Sequence, residues 1–370
     1  MDDFERRTRA CQERLRATNA DLAVLFPSTN LYYATGFHED PQERHLFCFV
    51  PADGDPAFLV PELYETQVRT ESWVDDVRTW ADGDDPVDAV ESVVSDLGVA
   101  SGAHVLVDDR MWALFTQDLE AAMPWATFGL VSAVFDDLRL RKDETEVERL
   151  RRAAAVADEV SVAVRALGET VVGWTERELA AEIESRLLEA GGDRLAFDVI
   201  VGSGPNGAMP HHAHGDREIR RGDPVVLDFG AYVDHYPGDQ TRTVVFAGDP
   251  PDEFERVHDV VREALDAGVD AVEPGVTAES VDRAARAVVE EAGYGDRFVH
   301  RTGHGVGLDV HEPPYVVEGD GTELEPGMVF SVEPGIYLPE EFGVRIEDLV
   351  VVTADGCGRL NDSPRGWQPA

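Results

Sequence analysis

A chain of 370 residues with 43% hydrophobic content is too long for one ordinary core, so two domains are expected. Acidic residues number 74 against 32 basic, a net charge of −42, and no basic stripe is available to neutralise phosphates, which argues against a nucleic-acid partner. No apolar run approaches the ~18 residues of a membrane span, so no membrane partner is expected. The opening MDDFERRTRACQERL is charged and amphipathic rather than a signal peptide. The cysteines, Cys11, Cys48 and Cys357, are odd in number and scattered, which points to a reducing cytoplasm without a disulfide framework. The acids are spread along the whole chain, as at Asp82–Asp85 and Glu318–Asp320, and Lys142 is the only lysine. Such a coat suits a halophile-like cytoplasm of molar salt, where the Debye length falls to ~3 Å and self-repulsion is screened.

The fold class expected is mixed α/β (α+β). Residues 1–136 alternate strands and helices. The runs DLAVLF (Asp21–Phe26), HLFCFV (His45–Val50), AFLV (Ala57–Val60) and HVLVDD (His104–Asp109) read as buried strands, with helical patterns at 4–18, 62–71, 86–97 and 111–122. No phosphate-cradling glycine loop and no ligand cluster occurs there, so chemistry is expected elsewhere. Asp137–Glu146 is a charged connector that opens a second domain, 137–370, and a long helix begins near Glu144. Residues 151–194 and 256–297 each read as helix, turn, helix and a Gly-rich stop, EAGGDR and EAGYGDR. Thr175 with Glu178 makes a capping box, and Val281, Ala284, Ala285, Val288 and Val289 recur at helical spacing.

After each helical pair comes a hairpin, and the two hairpins look like copies. RGDPVVLDFGAY (Arg221–Tyr232) lies on PGMVFSVEPGIY (Pro326–Tyr337), with Gly222 on Gly327, Asp228 on Glu333, Gly230 on Gly335 and Tyr232 on Tyr337. A second acid follows in each copy before an apolar strand: Asp239 before TRTVVF and Glu347 before DLVVV. Two copies imply a closed, pseudosymmetric domain that converges four carboxylates on one point. Four buried carboxylates cannot all stay ionised without countercharge, and two divalent cations would balance them. The run HRTGHGVGLDVHE (His300–Glu312) adds histidines on glycines that let backbone pass close, and His304 is its best ligand candidate. In GPNGAMPHHAH (Gly204–His214), His211 is the member assigned to chemistry, with His212 and His214 read as solvated. His45, His104 and His258 lack an acid context and are read as structural.

The order Asp228, Asp239, His304, Glu333, Glu347 resembles the binuclear metal set of the pita-bread metallopeptidases, the family of methionine aminopeptidase, aminopeptidase P and prolidase. The stretches DFGAYVDHYPGDQTRT, HRTGHGVGLDVHE, SVEPGIY and GVRIEDLV carry the resemblance, over residues ~140 to ~355. NLYYATGF (Asn30–Phe37) resembles the creatinase/prolidase-type N-terminal domain, which favours the prolidase and aminopeptidase P branch. Gly238 departs from the serine common before the second Asp. The resemblance implies that Asp228 chelates one metal, His304 and Glu333 bind the other, and Asp239 and Glu347 bridge them. An oxygen-rich site with one imidazole suits Mn²⁺, with Co²⁺ or Fe²⁺ as alternatives and Zn²⁺ less suited. Two ions ~3.5–4 Å apart would present a bridging hydroxide to a peptide carbonyl. Glu333 would pass the proton to the leaving nitrogen, and His211 and His311 would hydrogen-bond the scissile amide or oxyanion. His300 and Arg345 resemble substrate-shaping positions, with Arg345 equally a partner of the acids.

The function implied is hydrolysis of the Xaa-Pro bond in short peptides with proline second, as dipeptidase or aminopeptidase, by a homodimer. His38 and Glu39 are candidates for a wall limiting substrate length, contributed by the neighbouring subunit. A lyase-type metalloenzyme on the same scaffold and a non-catalytic peptide-binding protein are the alternatives. The charge makes its own prediction. Dialysis from 3 M to 0.1 M KCl should lower the melting temperature and inactivate the protein. An unchanged melting curve across that range would contradict it.

Overall fold

The computed structural model describes residues 3–369, and the chain divides into two compact units, Met1–Arg139 and Leu140–Ala370. The boundary read from the sequence, 136/137, falls inside a helix, Ser132–Leu140. Among the described residues no helix is long and apolar enough to cross a membrane.

The first unit is one six-stranded sheet with helices. Its strands are β1 (Leu22–Leu25), β2 (Phe47–Pro51), β3 (Ala57–Pro61), β4 (Asp76–Trp80), β5 (His104–Val107) and β6 (Thr127–Leu130), in the order β4-β3-β2-β1-β5-β6. The four strands read from apolar runs are the four inner ones. The two edge strands, DVRTW and TFGL, are half-exposed and carry no such run, so the sequence pattern does not announce them. Helices α1 (Asp3–Ala17), α2 (Thr29–Thr35), α3 (Glu65–Glu71), α4 (Pro86–Asp96), α5 (Ala113–Ala122) and α6 (Ser132–Leu140) complete the unit. The short α2 is capped by the Ser28 hydroxyl and stopped by Gly36 at φ +82°. His38 sets its ring edge-on against Tyr32.

The second unit repeats one pattern twice. The first copy runs α7 (Glu144–Arg165), α8 (Glu176–Glu189), β7 (Arg194–Leu195), β8 (Ile200–Ser203), β9 (Val225–Phe229), β10 (Ala231–Val233), β11 (Tyr236–Pro237) and β12 (Gln240–Val244). The second runs α9 (Phe254–Asp270), α10 (Ala278–Glu291), β13 (Gly303–Gly305), β14 (Glu312–Val316), β15 (Val329–Val332), β16 (Gly335–Leu338), β17 (Phe342–Arg345), β18 (Asp348–Thr353) and β19 (Gly356–Arg359). Capping boxes start α7 (Asp143, Glu146) and α8 (Thr175, Glu178).

The duplication extends to single hydrogen bonds. Gly173 N donates to Ile219 O at 2.9 Å, and Gly275 N to Leu324 O at 2.8 Å. Arg177 N donates to Gly215 O and Glu279 N to Asp320 O, both at 3.0 Å. Isolated bridges join Thr175 to Glu218 and Thr277 to Glu323. Each copy has its own core. In the first, Ile183 and Leu187 of α8 pack with Leu227 and Phe229 of β9. In the second, Val281, Ala285 and Val289 are the fully buried members of the α10 stripe, with Ala284 and Val288 half-buried beside them.

Gly303 shows how tightly the second copy closes. A Cβ there would stand 1.8 Å from the Ser331 carbonyl oxygen. Gly303→Ala should therefore force β13 from β15, costing about 1–3 kcal/mol or more. A urea midpoint unchanged by the substitution would refute this packing.

Candidate active site

Strand ends deliver the acids. Asp228 lies near the end of β9, opposite Thr241 of β12. At Gly230 the chain must break, because a Cβ there would lie 1.8 Å from Gly238 O. The chain then turns through β10 and β11 and reaches Asp239. A Cβ on Gly238 would come within 2.6 Å of Ala153 O, so serine does not fit there without a shift of α7. In the second copy Val332 pairs with Asp348, which sets Glu333 and Glu347 on the next rung. The second acids are thus not ladder equivalents. Glu347 corresponds to Thr241, and Asp239 sits two residues earlier, a shift that keeps the same face of the strand.

The two copies are stitched along β12. Glu347 N donates to Thr241 O at 3.1 Å, and the Thr241 hydroxyl donates to Glu347 Oε2 at 2.7 Å. Thr243 Oγ1 donates to Arg345 O and accepts from Arg345 N. Arg345 Nη2 reaches Asp228 Oδ2 at 2.6 Å, and its Nε donates to Thr241 Oγ1. Of the two roles left open for Arg345, partnering an acid is the one the geometry displays.

The carboxylates crowd one another. Donor atoms of Asp239, His304 and Glu347 all lie within 4.8 Å of each other. His304 Nε2 is 3.4 Å from Glu333 Oε1 and 3.8 Å from Asp239 Oδ2. Burial, reinforced by Glu347, Asp228 and Glu333, drives Asp239 well above the usual carboxylate range. Burial, with Glu333 and Asp228 alongside, does the same to Glu347. Burial pushes Glu333 up to about 7 against the pull of Arg345. Burial, then His311, pulls His304 down to about 3, so its imidazole is neutral and these contacts are not ion pairs. Its Nδ1 donates to Gly305 O at 3.2 Å, so the Nε2 lone pair faces the carboxylates. Asp228 Oδ1 is buried with no hydrogen-bond partner. A lone pair aimed at acids and an orphaned carboxylate oxygen fit a set of donors built around divalent cations.

These groups open on a cavity of about 660 Å³ that His211, His300, His311 and Arg345 also line. His211 is exposed there and makes no side-chain hydrogen bond among the described residues. The His311 ring packs on His304, centroids 4.2 Å apart. His300 is brought down to about 4 by burial and then by Arg345. Being neutral, it donates from Nδ1 to Arg301 O at 2.7 Å and accepts at Nε2 from the Tyr337 hydroxyl at 2.8 Å.

Two expectations need correction. His212 and His214 are not simply solvated. His212 Nε2 donates to the buried Glu176 at 2.8 Å, and His214 Nδ1 donates to Val199 O at 2.9 Å. His45, just before β2, does have an acid partner, Asp118 of α5 at 2.8 Å. Sequence reasoning also missed Thr241, Tyr337, Arg301 and Glu176. Tyr337 was visible only as the copy of Tyr232. Arg301 lines the cavity with its guanidinium over Tyr315, centroid distance 4.6 Å, a contact no local motif announces.

The fold and the site define a two-unit protein whose second, duplicated unit gathers metal-type ligands in a cleft. Residues 148–354 match the model of metallopeptidase family M24, and residues 7–141 match the creatinase/prolidase N-terminal domain. The chain belongs to metallopeptidase family M24. It is 42% identical over 345 residues to a probable dipeptidase PepE of Mycobacterium bovis, covering 92% of this chain and 90% of the relative. It is 36% identical to the Xaa-Pro dipeptidase of Lactobacillus helveticus, covering 93% and 94%. The crystal structure of a recombinant prolidase from Thermococcus sibiricus superimposes with a TM-score of 0.94 at 37% identity, covering 99% of each chain.

The raised carboxyls set a pH dependence. They bind protons more tightly folded than unfolded, so in chelator-treated protein their stabilisation is complete in acid. It is lost as pH rises, through about 7 for Glu333. The melting temperature of metal-free protein should fall between pH 6 and pH 8 more than that of metal-loaded protein. Adding Mn²⁺ at pH 6 should release protons, with less release at higher pH. Calorimetry in two buffers of different ionisation enthalpy checks this, and absence of proton release at pH 6 would overturn the assignment.

Proposed function

We propose that the protein is a metal-dependent exopeptidase that hydrolyses the Xaa-Pro bond, with Xaa-Pro dipeptides as its substrates. The observation that carries this reading is the convergence of Asp228, Asp239, His304, Glu333 and Glu347 beside a cavity into which an unbonded imidazole, His211, projects. The names of the M. bovis and L. helveticus relatives support the dipeptide. Asp228 would hold one cation, His304 and Glu333 the other, and Asp239 and Glu347 both. Two divalent cations there, Mn²⁺ by the oxygen-rich donor set, supply Lewis acidity to the scissile carbonyl and a hydroxide nucleophile at neutral pH.

The chain's own groups do the rest. His304 keeps its proton on Nδ1, tied to Gly305 O, and so offers Nε2 as a ligand. Glu333 accepts the proton of the attacking water and returns it to the proline nitrogen, so that one C–O bond forms as the C–N bond breaks. Proline nitrogen in a peptide has no hydrogen, so the leaving group must gain its proton from such an acid. His211 and His311 donate to the oxygen that gains charge. His300 buttresses Tyr337, which also accepts from Arg345 Nη1 at 3.0 Å, and Arg345 holds Asp228 in place.

The test is a panel of Xaa-Pro dipeptides, Xaa-Pro-Yaa tripeptides, their N-acetylated forms and Xaa-Ala controls, with Mn²⁺ in molar KCl. Cleavage of free-amine Xaa-Pro peptides, lost on chelation and restored by Mn²⁺, is expected. Equal cleavage of acetylated or Xaa-Ala peptides would sink the assignment, and no cleavage of any peptide would favour a lyase. Glu333→Gln and His211→Ala should each lose about 10²–10⁴ in kcat.

A further inference from the structure

Glu176 is completely buried in a chain whose other acids mostly coat the surface. It opens α8, and among the described residues no lysine or arginine pairs with it. A buried carboxylate so placed is costly unless hydrogen bonds replace its water. Six contacts do so. Oε1 accepts from Ser203 N at 2.8 Å, Ser203 Oγ at 2.7 Å and Asn206 Nδ2 at 2.9 Å. Oε2 accepts from Asn206 Nδ2 at 3.1 Å, His212 Nε2 at 2.8 Å and Gly215 N at 3.2 Å. These donors hold the carboxylate ionised despite burial, and its pKa lies below the ordinary value.

Every one of those donors belongs to the segment 203–215, the segment that carries His211. The His211 side chain makes no hydrogen bond among the described residues, so its direction is set by its neighbours. Pro210 O accepts from Arg345 Nη1 at 3.2 Å, and Arg345 in turn grips Asp228. His212, on the other side, is held by Glu176. His211 is therefore clamped between a contact leading to a metal-type ligand and a contact leading to a helix start. The duplication shows that Glu176 is not merely part of the shared scaffold. The matching helix in the second copy also starts after a threonine, Thr277, but has Ala278 where the first has Glu176. Only the copy that carries His211 has the carboxylate at this helix start.

We propose that Glu176 is a positioning residue: its carboxylate fixes the 203–215 segment so that His211 faces the cavity in a reactive orientation. The claim rests on the peptidase reading above, but its test also has an arm that needs no turnover. Glu176→Gln keeps the volume and presents a donor where Gly215 N and His212 need an acceptor. Its kcat on an Xaa-Pro dipeptide should fall ~10–100-fold, as small misplacements of a reacting group do. KM should stay within about threefold, since ground-state binding is not what is lost. Metal content should match the wild type. In metal-free protein with labelled histidine, the His211 ring signal, identified by its absence in His211→Ala, should broaden or split in the variant. Should Glu176→Gln fail to fold, His212→Ala removes one of the six contacts and Asn206→Ala two, and each should give a smaller change of the same kind. An unchanged kcat overturns the proposal. So does a fall in kcat that only tracks lost metal or lost folded protein while the His211 signal stays as in wild type. A wild-type protein that cleaves no Xaa-Pro peptide would instead defeat the peptidase reading, and the His211 signal would still report on the clamp.

Discussion

Mutual repulsion among Asp228, Asp239, Glu333 and Glu347 is the constraint around which the catalytic unit is arranged. Buried like charges this close raise one another's pKa, and the backbone must still hold them together. The restraint comes from β12 and the 345–347 segment, which bind each other through Thr241 and Thr243 rather than through acid-to-acid contacts. Beneath that seam Arg242 is almost fully buried. It donates to Thr241 O and Glu347 O and pairs with Asp348, which also receives Arg359 and Arg365. The acids are thus fixed from the backbone side, and their free oxygens point to the cavity. Arg345 supplies one positive charge inside the site, so a simple balance of four acids against two divalent cations leaves it out.

The duplication provides positions, and the chemistry lies in where the copies differ. Asp228 and Glu333 are true equivalents, whereas Asp239 and Glu347 reach the site from rungs two residues apart. Tyr232 and Tyr337 are also equivalents, yet Tyr232 lies under the Arg194 guanidinium while Tyr337 joins His300 to Arg345. Glu176 and Ala278 form a third such pair. A pseudosymmetric scaffold would give a symmetric cleft. These substitutions turn it into one with a distinct imidazole wall, which an asymmetric reaction requires.

What the sequence disclosed, and what it hid, follows from how local each signal is. Inner strands such as AFLV must be apolar on both faces, so they stand out. The edge strands DVRTW and TFGL need not be, and they are missed. The hairpin repeat was legible because Gly222 and Gly327 take positive φ, +84° and +93°, which few other residues adopt. The ladder shift between the copies was not legible, since it depends on which residues pair across the hairpin. The histidine segment was read residue by residue. His211 was singled out ahead of His212 and His214, but the bond that holds His212 could not be read, because the acid that claims it lies on a distant helix. The expected connector at 137–146 overlooked α6, whose short SAVFDDLRL pattern buries only Val134 and Phe135.

Most arginines sit in exposed ion pairs, such as Arg16 with Asp53 and Arg152 with Asp234, but a few cations lie in the interior. An exposed ion pair is worth little, because solvent and salt screen it. A pair shielded from solvent keeps its strength, provided its hydrogen bonds are satisfied. The only lysine, Lys142, is buried against Glu312 at 2.7 Å, and Glu312 closes the run that holds His304 and His311. Arg242 and Arg345 are buried in pairs of the same kind. Each of these cations either supports or enters the site. Their removal would leave an uncompensated carboxylate in the interior, a larger loss than any single surface pair could represent. These few buried cations therefore matter more to the site than the many exposed arginines do, because they hold in place the acids on which its chemistry depends.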